Sequence, residues 1–212
     1  MEVHPPHQPI HSWRDFFIHL ITITIGLLIA LSLEGLVEVV HHHNLVQEAR
    51  ADLRSEMTSN HSRVAGNLAE LRADEKRIAA NIKVLRAVQG GTKLTGKNEV
   101  VYSFSWSSLG NSAWKTAATS GALVYLNFEI ERDLADVYAM QDDIVSANAL
   151  RLQRDHSLAG AQMGIQDDIA KAPKEALQLC LQRSADLLMD LQAMEQLLVE
   201  LDQQYTQELA KL

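Results

Sequence analysis

Apolar residues fill nearly every position from Phe16 to Leu33, FFIHLITITIGLLIALSL, and the run continues through GLVEVV to Val40. A helix over 16–40 is long enough to cross a hydrocarbon core of ~30 Å. A cleaved signal peptide and a buried core helix are the two other readings of such a run. The first is disfavoured because Arg14 is the one basic residue ahead of it and the apolar stretch exceeds the usual length of a signal core. The second is disfavoured because nothing else in the chain approaches this hydrophobicity, so a matching core is missing.

Beyond Val40 the pattern turns amphipathic. Val46, Ala49, Leu53, Met57, Val64, Leu68, Leu71, Ile78, Ile82 and Leu85 recur at helical spacing, with no helix-breaking pair before Gly90-Gly91. Residues 90–111 change character: Gly, Ser, Thr and Asn punctuate VVYSFSW, which alternates like a short strand. With no second strand to pair with, the expectation is an ordered loop that packs Tyr102, Phe104 and Trp106 on neighbouring helices. In NSAWKTAATSGALVYLN, Asn111 or Ser112 is placed to cap a short helix, Gly121 to end it, and Asn127 to cap the next helix. Pro173 suits the start of a final helix, in which Leu187, Leu191, Met194, Leu198, Leu201 and Tyr205 follow coiled-coil spacing.

The pattern therefore predicts an all-α fold, a single N-terminal transmembrane helix continuing into an antiparallel helical bundle or coiled coil. Its parts are a His- and Pro-containing tail over 1–15, the span over 16–40, a stalk helix over 41–89, the loop over 90–111, and a short helix with two long ones over 112–212.

Charge narrows the partners. The net charge of −8 lacks a basic stripe, which excludes nucleic acid as an obvious ligand. Cys180 is the single cysteine, so an internal disulfide is impossible, and its helical spacing reads as a buried thiol. Arg14 on one side of the span and Arg50 and Arg54 on the other nearly balance. The acidic flank of Glu34, Glu38 and Glu48 favours a periplasmic or extracellular position for the large carboxyl part.

Along the span, Asp15, His19, Thr22, Gly26, Ala30, Glu34 and His41 fall within an arc of ~120°. Gly26 and Ala30 form a small-x-x-x-small pair, and Thr22 lies one turn earlier, which marks a helix-contact face. The sharper alternative is an ion or proton path using His19 and Glu34. Glu38 and His42 stand four residues apart, a spacing that with His41 could hold a metal. Adjacent histidines diverge by ~100° around a helix, however, so a solvated interfacial patch is the simpler reading. His4, His7 and His11 precede the span and would lie across the membrane from that triplet.

In the short-helix region, Trp114, Ser120, Gly121 and Leu123 read as a plug of the bundle. Alternatively, Ser112, Thr116, Thr119 and Ser120 line a polar pocket. The pairing of GLLIALSLE in the span with SAWKTAATSGAL downstream resembles a family of uncharacterised bacterial single-span membrane proteins. In that family an early I-G-I-L-I-A-L-like span is followed by an S-A-Y-x-x-L-x-x-S-G-x-L segment and a helix with a later Tyr. Ser112, Ala113, Ser120, Gly121 and Leu123 match the segment, Trp114 replaces its usual Tyr, Ala117 stands where Leu is common, and Tyr138 corresponds to the later Tyr. The resemblance implies a bacterial inner-membrane location and a helical domain. It implies no activity.

Phosphate-binding loops, nucleophile elbows and zinc-hydrolase motifs are absent from the sequence. The expectation is a non-enzymatic, cofactor-free interaction or scaffold protein in the lipid bilayer, forming a homo-oligomer or joining another membrane protein. An ion-path subunit and a ligand-sensing bundle are the alternatives.

Overall fold

The computed structural model describes residues 13–92, 104–165 and 169–212. Residues 1–12, 93–103 and 166–168 lie outside it, and with them His4, His7, His11 and Tyr102. The described residues are all-helical. α1 is Trp13–Gln89, α2 is Ser112–Thr119, α3 is Phe128–Gln162 and α4 is Lys174–Leu209, with short 3-10 helices at Ala122–Tyr125 and Ile169–Lys171.

Local chemistry sets the ends of these helices. α1 stops at Gly90-Gly91, where Gly91 takes a φ of 75°, a left-handed conformation open to glycine at no steric cost. The Thr92 N–H then bonds back to the Ala87 carbonyl at 2.9 Å. Gly121, with a φ of 77°, turns the chain out of α2. The Asn127 side chain accepts from the Glu129 N–H at 2.8 Å, and Glu129 and Glu131 place negative charge where the helix dipole favours it. Pro173 immediately precedes α4.

The chain divides into two compact units, residues 1–48 and 49–212. In the first, the described part of α1 buries no side chain, and every large apolar residue from Trp13 to Val40 is exposed. In the second, α1 from Ala49 onward is one of three bundle helices. Leu53, Met57, Val64, Ile78 and Leu85 are buried from α1, Leu134, Val137 and Ile144 from α3, and the whole seam from Leu187 to Tyr205 from α4. The stretch read from sequence as a stalk thus supplies a third of the core.

Cross-links fix the directions. Lys211 meets Asp133 at 2.8 Å, and Tyr205 meets Gln141 at 2.6 Å, so α4 runs antiparallel to α3. His61 faces Asp202 at 3.0 Å and Arg72 faces Glu195 at 2.5 Å, so α4 also runs antiparallel to α1. α1 and α3 are therefore parallel to one another. A parallel pair needs a long return connection, and residues 104–111, α2 and the first 3-10 helix belong to it.

Candidate functional site

Positions 53, 57, 60, 64, 67, 71, 74, 78, 81 and 85 of α1 are all buried and alternate by four and three, a heptad seam. One half of that seam is apolar: Met57, Val64, Leu71, Ile78 and Leu85. The other half, after Leu53, is polar at every seventh residue: Asn60, Asn67, Asp74 and Asn81. A buried amide is tolerated only when its hydrogen bonds are made.

The first two asparagines make theirs to the returning chain. Asn60 Nδ2 donates to the Gly110 carbonyl at 2.7 Å, and the Gly110 N–H donates to Asn60 Oδ1 at 2.8 Å. Asn67 Nδ2 donates to the Ser107 carbonyl at 2.9 Å, and the Ser107 N–H donates to Asn67 Oδ1 at 2.8 Å. Each side chain thus imitates a peptide group and pairs with one residue as a neighbouring β-strand would. The registers agree because seven helical residues rise ~10.5 Å and three extended residues span ~10 Å. Arg63 adds a bond of 2.6 Å to the Ser108 carbonyl, and the Arg151 guanidinium lies 5.3 Å from the centre of the Phe104 ring.

The Asn60 rung continues into the core. Gln141 Nε2 donates to the same Gly110 carbonyl at 2.9 Å, and Gln141 Oε1 accepts from Asn60 Nδ2 at 3.1 Å and from the Tyr205 hydroxyl at 2.6 Å. The network joins all three long helices to the return segment, and the Gly110 carbonyl and Gln141 Oε1 each accept two hydrogen bonds in it. Burial pushes the Tyr205 phenol well above its ordinary value, so it stays a donor.

One turn before Asn60, Glu56 holds the start of α2. Its Oε2 accepts from the Ser112 hydroxyl at 3.0 Å and the Ala113 N–H at 2.9 Å. Its Oε1 accepts from the Tyr138 hydroxyl at 2.8 Å and the Trp114 N–H at 3.4 Å. The cap expected from Asn111 or Ser112 is therefore corrected: the Asn111 side chain makes no capping bond, and a carboxylate from α1 takes that place. Burial works against the Glu56 charge, but the bonds from Ala113, Tyr138, Ser112 and Trp114 outweigh it and hold its carboxyl below the usual range. Burial, followed by the bond to Glu56, drives the Tyr138 phenol far upward. Trp114 stacks on Tyr138, ring centres 4.9 Å apart and 15° between planes.

A polar cleft of about 540 Å³ opens beside this node, lined by Asp52, Glu56, Ser59, Arg63, Ser112 and Thr116 among others. Ser112 and Thr116 thus line a cleft, whereas Thr119 and Ser120 turn their hydroxyls to carbonyls of their own helix, Lys115 and Ala117. Leu123 is half-buried and Ser120 exposed.

In the first unit, Thr22, Gly26 and Ala30 are exposed, and the Thr22 hydroxyl bonds back to the Ile18 carbonyl at 2.8 Å. A Cβ added at Gly26 would meet nothing within 4 Å. His19 and Glu34 are separated by about 22 Å of helical rise, so one copy does not bring them together. Glu38 and His42 approach to 3.9 Å. Among the described residues, no group of three or more potential ligands is placed to hold a metal ion.

Pattern reading passes over Glu56, Asn60 and Asn67, which the structure makes central. The seven-residue recurrence of Asn60, Asn67, Asp74 and Asn81 inside an apolar stripe is the signal that identifies them. Compared with models of known families, with characterised proteins and with solved structures, the chain matches none.

Proposed function

We propose that this protein is a single-span membrane-anchored helical scaffold whose carboxyl unit presents a rigid bundle to a partner, either a second copy or another membrane protein. The observation that carries the reading is the exposure of the whole apolar run of α1, where Ile18, Ile23, Leu28, Leu33 and Val37 have no protein to bury them. In water such a surface is costly, and in lipid it is matched. The Trp13, Phe16 and Phe17 rings, with centres 5.7–6.3 Å apart, cluster at the amino end as an interfacial aromatic belt does. The acidic flank of Glu34 and Glu38 favours placing the bundle on the periplasmic side of a bacterial inner membrane.

Of the two carboxylates at the bundle's cleft, Glu56 already accepts four hydrogen bonds from the fold, which favours a structural role for that residue. The test is alkaline extraction of native membranes, followed by the mass and composition of the gently solubilised complex. Retention in the membrane pellet with a second copy or a stoichiometric partner is expected. Release into the alkaline supernatant would overturn the anchored reading.

A further inference from the structure

We infer that the link between α2 and α3 is a second membrane contact, with Val124, Tyr125 and Phe128 seated in the headgroup and acyl boundary of the bilayer that the apolar run of α1 enters. The inference rests on the span proposed above. Val124 is 81% exposed, Phe128 73% and Tyr125 48%. They fall within five residues, and Ala122 before them and Leu126 between them are buried and hold the segment against the bundle.

Their position in the second unit follows from register. α3 is parallel to α1, with Tyr138 opposite Glu56 and Gln141 opposite Asn60. Running α3 back from Tyr138 to Phe128 covers ~15 Å, and running α1 back from Glu56 to Ala49 covers ~10.5 Å. The link therefore lies at the end of the bundle where α1 enters it. Nine residue steps join Val40 to Ala49, a chain reach of at most ~32 Å, so that end of the bundle is the one tethered to the apolar run.

A Tyr beside a Phe and a branched aliphatic is the composition that settles at a lipid–water boundary. Glu129 and Glu131 in the first turn of α3 add no attraction for anionic headgroups, so the contact is apolar insertion and zwitterionic lipid suffices.

The test uses the full chain reconstituted in phosphatidylcholine vesicles with bromine on the acyl chains. An environment-sensitive fluorophore is placed by Val124→Cys, by Leu28→Cys in the span, or by Met163→Cys. Met163 is 75% exposed at the opposite end of α3. Cys180 is fully buried, and the unsubstituted chain supplies the labelling background. Quenching and a blue shift at 28 and 124, without either at 163, are expected. Quenching at 28 alone would overturn the inference and leave the span standing, and would direct attention to a protein partner for the patch. Quenching at neither 28 nor 124 would overturn the span and the inference together. Quenching at all three would show unspecific adsorption of the bundle and overturn the inference.

Discussion

Glu56 satisfies the first N–H groups of a helix more than fifty residues away in sequence. Replacing it with Ala leaves the Ala113 N–H and the Tyr138 hydroxyl without a partner, and we expect a loss of about 1–3 kcal/mol, read from denaturant unfolding of the solubilised chain. Its pH dependence has a definite sign. A carboxyl held below its ordinary value binds fewer protons folded than unfolded, so its contribution is complete above the ordinary value of 4.5 and disappears as the pH falls through the lowered one. The Glu56→Ala chain should accordingly lose less stability than the parent on acidification below pH 4.5, measured as the fall in thermal midpoint. Residues whose role is local were readable in advance: Asn127 caps its own helix, and Gly121 takes the left-handed turn that only its missing side chain permits cheaply. Glu56 was not readable, since a glutamate one turn from two buried positions looks like a solvated charge until its partners arrive from elsewhere.

Among the elements, α1 shows why an apolar stripe is an incomplete description of a core helix. The stripe located the helix and its buried side, but half the seam is polar, and an asparagine in a sequence reads as surface. Its partner is a backbone segment, which has no side-chain signature to search for. Substituting Asn67 with Ala should raise exchange of the Ser107 amide hydrogen toward that of an open loop while leaving the Gly110 amide slow. Asn60→Ala should release Gly110 and, through Gln141, cost the fold more. Hydrogen exchange resolved by fragment separates the two. On α3, Arg151 and Asp155 form a buried pair at 2.7 Å, and burial pushes the Asp155 carboxyl up to about 6 against the pull of Arg151. Removing Arg151 leaves the Asp155 carboxylate buried without its cation and should cost about 3–5 kcal/mol, whereas removing Asp155 should cost less, because Arg151 keeps Asn148 and the Phe104 ring. The paired change Arg151→Met with Asp155→Leu should cost clearly less than the sum, a coupling that equilibrium unfolding of the four chains measures.

For the whole molecule, the sequence located the apolar run and the all-helical bundle, because both depend on periodicity alone. It did not reveal that α1 and α3 are parallel, which depends on how the return segment is held. Gly26 permits a clean test of assembly through the span. A side chain there meets nothing within the chain, so Gly26→Leu should leave the bundle's thermal midpoint unchanged while lowering self-association in detergent, seen by sedimentation. Unchanged association would move the helix contact to another face or to the bundle.

The sequence separations in the network around Gly110 favour one order of folding events. Asn60 and Gln141 are 81 residues apart, and Gln141 and Tyr205 a further 64. Such contacts carry a loop-closure cost that nothing offsets until the last member is in place. α3 and α4 are joined by a short connection and zip against each other, so they are the natural first pair. α1 then docks as a rod whose amides find acceptors only on arrival. Until that moment its half-polar seam faces water and its neighbours' apolar seams lie open. It is at this stage, before the rod has docked, that aggregation competes most directly with folding.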